Sequence, residues 1–351
     1  MDHVISDLQS RIRTAAENQS SLRIRGGGTK DFYGAALKGD IIDVRPYAGI
    51  IDYEPKELVL TVRAGTTLAE IEKALIVERQ MLPFEPPHFG AGATIGGTVA
   101  AGLSGPRRAY AGAVRDFVLG ARILDGKGQD LRFGGRVIKN VAGYDVSRLM
   151  TGAMGTLGLL LDLSFKVLPR PPAEITLRFE MNESLAIETM NRWAGQPLPL
   201  SATSWHQGML LVRLSGAAAG VAAAKQKMGG EEVSDAEAFW RGLRDHRAAF
   251  FQTAIPLWRL SVPSTTAPLA VGAAQWIEWG GALRWLAADV SAPSLRETVG
   301  AAGGHATLFK GGSKTVGVFH PLGGTLATIH RRLKQTFDPA GILNAGRMDN
   351  F

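Results

Sequence analysis

Arg25-Gly26-Gly27-Gly28-Thr29-Lys30 is the stretch of this chain best suited to chemistry on an anion. Three successive glycines carry no Cβ, so the backbone can take positive φ and approach a ligand closely. Consecutive N–H groups in such a turn form a concavity that suits phosphate oxygens. A lone triplet of this kind is more often a surface turn. A second cluster downstream, Ala93-Thr94-Ile95-Gly96-Gly97, shifts the balance toward a binding loop.

Two familiar phosphate motifs are excluded. No Gly-x-x-x-x-Gly-Lys-Ser/Thr occurs, so a Walker P-loop is absent. Gly90-Ala91-Gly92 comes nearest to Gly-x-Gly-x-x-Gly, but the next glycine, Gly96, arrives one residue late, which argues against a Rossmann nicotinamide site. The wider segment from Pro86 to Gly102 is too rich in glycine for an ordinary core element, because each glycine costs conformational entropy unless close backbone contact requires it. A loop holding a large, flat, phosphate-bearing cofactor supplies that requirement, with Thr94 and Thr98 as uncharged hydroxyl donors; a tightly packed turn and small-residue helix is the other reading. A third segment, Lys139-Asn140-Val141-Ala142-Gly143-Tyr144-Asp145, precedes Gly155-Thr156-Leu157-Gly158. Gly155 and Gly158 stand just before an apolar strand, where backbone groups can read the edge of an adenine ring.

These loops need elements to hold them. Val4, Ile5, Leu8, Ile12 and Ala15 recur at helical spacing and predict an amphipathic helix over 4–17. Short strands are predicted at 22–25, 41–44, 49–53 and 58–63. Thr67, with Glu70 three residues on, reads as a capping box for a helix through Leu68, Ile71, Leu75 and Ile76. Strands at 117–124 and 129–133 flank Asp125-Gly126-Lys127-Gly128, a strong hairpin signal, and an apolar strand over 157–167 follows. Pro169-Arg170-Pro171-Pro172 reads as a boundary, since prolines stop regular pairing. Beyond it, strands at 174–180, 209–214, 257–262, 274–279, 283–287 and 305–309 alternate with helices at 183–194, 217–228, 235–249 and 293–302. That is an α+β pattern with small antiparallel strands, closed by a helix over 325–337. The division read from this pattern is 1–170, 171–325 and 326–351.

Composition bounds the function. The chain has 351 residues, 45% of them hydrophobic, enough to bury a large core. Its +7 charge is spread without a basic tail, so it favours anionic ligands or acidic partners over nucleic acid. The absence of cysteine excludes disulfides, thiolate chemistry and a cysteine-ligated iron–sulfur cluster within this chain. No basic-then-apolar leader is read at the N-terminus. No apolar run approaches the about 20 residues that span a bilayer, so membrane contact is expected only through partners.

Taken together, the three loop segments resemble the FAD-binding domain of the vanillyl-alcohol oxidase / p-cresol methylhydroxylase (PCMH-type) flavoproteins. Within that superfamily, Arg25–Gly34 (RGGGTKDFYG), Arg115-Asp116 with Leu119-Gly120, and Lys139–Leu149 (KNVAGYDVSRL) look like the small FAD-binding (E) subunits of bacterial glycolate oxidases. The tail Phe337–Arg347 (FDPAGILNAGR) resembles the same subunits' closing motif. The likeness is strong over 20–170 and in the tail, and loose over 171–325.

The resemblance implies two α+β subdomains gripping FAD, capped by an α+β domain with an antiparallel sheet. Arg25, Gly26, Gly27, Gly28, Thr29 and Lys30 would bind the pyrophosphate; Ala93, Thr94, Gly96, Gly97 and Gly102 would line pyrophosphate and isoalloxazine; Gly155, Gly158 and Leu159 would contact adenine and ribose, with Asn344 from the tail. The first loop carries no histidine, so FAD is expected to be held non-covalently. Arg107, after Gly105-Pro106, is a further candidate for neutralising pyrophosphate or docking a partner, a solvated turn being the alternative. No metal site is expected.

The likeness thins at the active site. Related catalytic subunits use clustered histidines, whereas this chain has seven scattered ones without a His-x-His or His-His pair. His320 and His305 are the best candidates for the flavin face. Arg259, within Leu257-Trp258-Arg259-Leu260, can bind a carboxylate bidentately; an ion pair or stacking on Trp258 is equally open. Trp276, Trp279 and Trp285 read as core. The function implied is an FAD subunit of a glycolate dehydrogenase complex, oxidising glycolate, a small 2-hydroxy acid, to glyoxylate beside a larger FAD-binding catalytic subunit and an iron–sulfur subunit. Its implied place is the cytoplasm, or the inner membrane's periphery through that complex. A non-catalytic assembly subunit, or a stand-alone flavin oxidase of another hydroxy acid or alditol, remains open.

Overall fold

The computed structural model describes residues 1–135 and 145–348. Residues 139–144 of the third motif lie outside the described residues.

The opening helix, Asp2–Glu17, buries Ile5, Leu8, Ile12 and Ala15 along one stripe, as the apolar spacing requires. That stripe packs on Leu22, Ile42, Leu159, Leu161 and Leu343. Strand Leu22–Arg25 pairs in parallel with Asp40–Asp43. The C-terminal tail joins on its other side, where the Leu22 N–H donates to Ile342 O at 2.8 Å and the Asn344 N–H to Leu22 O at 2.9 Å. The chain's end is thus built into the element that launches the glycine loop.

Five antiparallel strands form the next layer, in the order Ile50–Glu54, Val59–Arg63, Leu159–Lys166, Val118–Leu124 and Asp130–Gly134. Asp125 makes the hairpin between Val118–Leu124 and Asp130–Gly134, its carboxylate accepting from the N–H groups of Lys127 and Gln129 at 2.9 and 2.8 Å. Helices Leu68–Val77 and Ile95–Ala101 cover this sheet through Leu68, Ile71, Leu75, Ile95 and Val99. Thr67 caps the first of them, accepting from Glu70 N–H at 3.2 Å; among the described residues the reciprocal half of the expected capping box is absent. Pro169 does not stop pairing, since Leu168–Pro169 sits antiparallel to Gln80–Met81. Pairing survives because two residues need few backbone donors, and proline gives up only one.

An antiparallel sheet of eight strands makes up the second half. It runs Glu231–Glu232, Ala173–Glu180, Met209–Gly216, Leu200–His206, Gln275–Glu278, Leu283–Ala287, Leu257–Ser261 and His305–Lys310. Strand Leu200–His206 has no counterpart in the sequence reading. Its segment, LSATSWH, lacks the branched apolar run that marks a strand, yet Ser201, Ala202, Thr203 and Ser204 are all buried. Their hydroxyls are used internally: Ser204 accepts from Trp276 Nε1 at 2.8 Å, and Thr203 from the Gly280 N–H at 2.9 Å. The helix expected over 235–249 is shorter, Ala236–Arg244, and a 3₁₀ turn follows at Ala249–Phe251.

The contacts that join the halves include two groups. One is an ion network: Arg107 Nε reaches Glu85 at 3.3 Å, Arg107 Nη2 reaches Glu174 at 2.7 Å, and Arg213 Nη2 reaches Glu85 at 2.9 Å. Burial alone would raise the Glu85 carboxyl, but the Arg213 and Arg107 guanidiniums hold it below its ordinary value. The other is an aromatic seam. Phe32, Tyr33 and Phe89 meet Phe309, and Phe89 and Phe309 both lie against His246, with ring centroids 5.1–6.1 Å apart.

Candidate cofactor site

A groove runs between the glycine loop and the five-stranded layer. It is lined by Arg25, Gly26, Gly27, Gly28, Thr29 and Lys30, together with Thr94, Gly96, Gly97, Gly155, Gly158 and Asn344. Four of the expected residues lie off it. Ala93 is buried beneath the loop, where its carbonyl takes the Leu68 N–H; Leu159 points into the helix-side core. Gly102 is the left-handed C-cap of Ile95–Ala101, pressed on Gly152. Arg107 is committed to Glu85 and Glu174.

Strand Leu22–Arg25 delivers the chain into the loop, and the loop's conformation leaves donors spare. Among the described residues, the N–H groups of Gly26, Gly27, Gly28, Thr29 and Lys30 donate to no protein acceptor. Only Gly28 of the three glycines has positive φ, +71°. Gly27 is glycine for another reason: a Cβ there would lie 1.5 Å from Gly92 O, and one on Gly26 would lie 2.4 Å from Thr94 Oγ1. The two glycine clusters are therefore pressed backbone to backbone, and that close packing accounts for part of the glycine content.

The second cluster offers fewer donors than its sequence suggests. Thr94 caps Ile95–Ala101 by accepting from the Gly97 N–H at 3.2 Å. The N–H groups of Ile95 and Gly96 are taken by Thr66 O and Ala64 O, each at 2.9 Å. Thr98 is fully buried, with its hydroxyl on Thr94 O at 3.0 Å. The free row of donors belongs to the first loop.

Charge surrounds that row. Arg23 and Arg25 share Asp31 at 2.6 and 2.9 Å. Lys30 lies 5.7 Å over the Phe89 ring, and burial pulls its ammonium down to about 8 against the opposing influence of Asp245. Arg347, which sequence reasoning placed in the tail motif but not in the site, lines the groove. Its guanidinium donates to Ala35 O, Lys30 O and Asp31 O at 2.8, 3.2 and 3.2 Å, which fixes the loop's exit. Asn344 accepts from the Ile24 N–H at 2.8 Å and donates to Met154 O at 2.7 Å. Lys334 ties the tail down through Thr156 O, Asp338 Oδ2 and Leu343 O at 2.8, 2.6 and 2.9 Å. A row of unpaired N–H groups with Arg25, Lys30 and Arg347 around it suits a diphosphate, and the small residues beside it leave a flat ring room to lie against backbone.

The candidate catalytic residues separate. His305 and His320 are 6.5 Å apart, ring to ring, at the open end of strand His305–Lys310, away from the groove. Arg259 faces a different cavity, behind Phe89. It lies 5.3 Å over Trp279 and does not stack on Trp258, because alternate strand residues face opposite sides of the sheet.

Comparison with known proteins identifies the family. Residues 3–134 match the FAD binding domain family model. The chain is 47% identical over 341 residues to the glycolate oxidase subunit GlcE of Escherichia coli K12, covering 97% of this chain and 96% of that protein. The chain belongs to the GlcE family. It is a flavoprotein, an FAD-dependent oxidoreductase subunit. The glycolate oxidase subunit GlcD of Bacillus subtilis is 29% identical over 212 residues, 59% of this chain and 45% of that protein. Among solved structures, 4-ethylphenol oxidase from Gulosibacter chungangensis superposes with a TM-score of 0.71 at 13% identity, over 98% of this chain and 87% of that one. Alkyldihydroxyacetonephosphate synthase gives 0.67 at 14%, over 96% and 74%. These two likenesses concern the fold alone. Among the described residues, no helix is long and apolar enough to cross a membrane and no metal-binding cluster occurs.

Proposed function

We propose that the chain holds FAD non-covalently in the glycine groove and serves as an FAD subunit of a complex that oxidises glycolate to glyoxylate. Electrons leave to a partner iron–sulfur subunit, beside a larger FAD-binding catalytic subunit. The observation that carries the reading is the row of free N–H groups from Gly26 to Lys30. Arg25, Lys30 and Arg347 would neutralise the diphosphate; Gly155, Gly158 and Asn344 would border the adenine side, and Ala100 and Ala101 would lie along the ring system. Bound FAD supplies a two-electron acceptor. The first loop has no histidine to bond it covalently, and a chain without cysteine leaves cysteine-ligated cluster chemistry to another subunit. The division at 1–170, 171–325 and 326–351 frames this reading, with the tail returning to the cofactor side.

Purification of the tagged chain alone and with its native partners tests the proposal. The isolated chain is expected to be yellow and to release its flavin on denaturation. Iron is expected only when a partner co-purifies. A colourless chain that gains neither colour nor thermal stability from added FAD would sink the cofactor assignment, and flavin that stays with the denatured chain would refute non-covalent binding.

A further inference from the structure

Helix Gly324–Phe337 buries only Lys334 outright. Its large apolar side chains, Leu326, Ile329, Leu333 and Phe337, are spaced by three or four residues and so share one stripe. The stripe has two unlike halves. Leu333 and Phe337 pack on the core of the five-stranded layer, where Phe337 meets the Phe133 ring edge-on at 6.4 Å. Leu326 and Ile329 are 54% and 47% exposed, and Leu322, four residues before Leu326, is 39% exposed. Single exposed apolar residues are ordinary. Here three stand in a row, at the bare end of a stripe whose other end is core.

Two further features say what would cover that end. The helix starts at Gly323-Gly324 without a side-chain cap, and Thr325, Thr328 and Ile329 are weak helix formers, so its first two turns have little stability of their own. Such turns depend on tertiary packing, which this chain supplies only to the second half. The other feature is charge. From Thr298 to Phe337 there is no Asp or Glu, while Lys310, Lys314, Arg331, Arg332 and Lys334 are basic. Lys314 and Lys334 are committed to backbone carbonyls around the cofactor groove. Arg331 and Arg332 lie just beyond Ile329 and are exposed. Among the described residues neither makes an ion pair; Arg331 donates to Ala327 O and Thr328 Oγ1 of its own helix at 3.4 and 3.2 Å.

We infer that Leu322, Leu326 and Ile329 insert into an apolar groove on another subunit of the complex, and that carboxylates at one end of that groove pair with Arg331 and Arg332. The inference rests on the proposed function only for the existence of that subunit. Apolar anchors at helical spacing are the pattern of a helix that docks in a groove, and the two arginines fix which way it lies. A second copy of this chain, with a net charge of +7 and no carboxylate on this helix, is a poor electrostatic match. A lipid surface fits less well too, because the first two turns, Gly324–His330, carry no lysine, arginine, tryptophan or phenylalanine to seat them among headgroups.

The test compares the tagged chain, purified with its native partner subunits, with three double variants, reading amide hydrogen exchange and the partner retained on dilution. In the wild type, amides of 324–333 are expected to exchange more slowly in the complex than in the isolated chain, and those of 68–77 equally in both. Leu326→Glu with Ile329→Glu should weaken the complex at least about 100-fold. Arg331→Glu with Arg332→Glu should weaken it about 10-fold and flatten its salt dependence. Both should keep wild-type flavin content and unfolding temperature, since the changed side chains are exposed. Ile76→Glu with Val77→Glu, an equally bare pair on Leu68–Val77, is the control and should retain the partner. Unchanged exchange over 324–333 in the complex, or equal weakening by the control, would overturn the inference. Dimerisation of the isolated chain, or its flotation with phosphatidylserine vesicles, abolished by Leu326→Glu with Ile329→Glu, would overturn it in favour of a second copy or a membrane. A wild-type chain that co-purifies with no subunit refutes the complex and this surface together; a complex that survives the Leu326 and Ile329 changes refutes this surface alone.

Discussion

In the groove, the donors left free are backbone N–H groups from one continuous stretch, Gly26 to Lys30. In the cavity behind Phe89 the buried polar groups are instead the side chains of Arg259 and Glu278, from two strands separated by a third. The groove is therefore held by whatever fixes backbone, namely the packing of Gly27 on Gly92 and the tail bonds of Arg347, Asn344 and Lys334. The cavity depends on sheet register and on aromatic rings. A backbone site tolerates side-chain change but no added bulk; a side-chain site tolerates neither a shift of register nor a lost charge.

The largest effect should come from bulk in the groove. In Gly27→Val the new Cβ would sit 1.5 Å from a backbone oxygen, Gly92 O, which cannot swing aside. We expect no retained flavin and a loss of roughly 3 kcal/mol or more, read from visible absorbance and thermal unfolding. Gly92→Ala is the control, because its Cβ meets nothing closer than 3.6 Å, and it should keep FAD. Stoichiometric FAD in Gly27→Val would show that the backbone reading of the groove is wrong.

A second effect, growing as pH rises from about 4 to 7, should come from the cavity. Glu278 has a folded-state pKa of about 7, above the unfolded value of about 4.3. The folded state therefore holds its proton longer, and this residue's contribution turns unfavourable as pH rises from about 4.3 to 7. Glu278→Gln should match wild type near pH 4 and exceed it by up to about 4 kcal/mol above pH 7. His246 shifts in the opposite sense but is common to both proteins, so the difference curve isolates Glu278. A difference that is independent of pH would mean that Glu278 is not desolvated as the geometry has it.

The contrast also explains what could be read in advance. Backbone sites leave a local mark: the glycines of 26–28 and 96–97 are visible in the chain, although the packing of Gly27 on Gly92 is visible only in the structure. Strands Val59–Arg63 and Met209–Gly216 were legible from apolar runs; Leu200–His206 was not, since its buried hydroxyls pair only in three dimensions. Arg259 stood out as a lone cation in an apolar strand. Glu278 carried the same signal, a carboxylate two residues after Trp276 in a strand, and passed unnoticed. Its meaning depends on Arg259 and Trp285, which register alone brings beside it.

The smallest effect sharpens the boundary of the groove. Thr94 looks like a cofactor ligand from sequence, but its hydroxyl oxygen caps Ile95–Ala101 by accepting from the Gly97 N–H, while Ile95 and Gly96 donate to protein carbonyls. Thr94→Ala removes the cap and leaves the first loop's donors untouched. Loss of an N-cap costs about 1 kcal/mol, so unfolding should shift by that amount. FAD affinity should fall by no more than about fivefold, since 1.4 kcal/mol would be tenfold. Thr94→Ser keeps the cap and should restore stability. If Thr94→Ala instead lost its flavin while unfolding normally, the Thr94 hydroxyl would be a direct donor to FAD, and the groove would be backbone on one wall and side chain on the other.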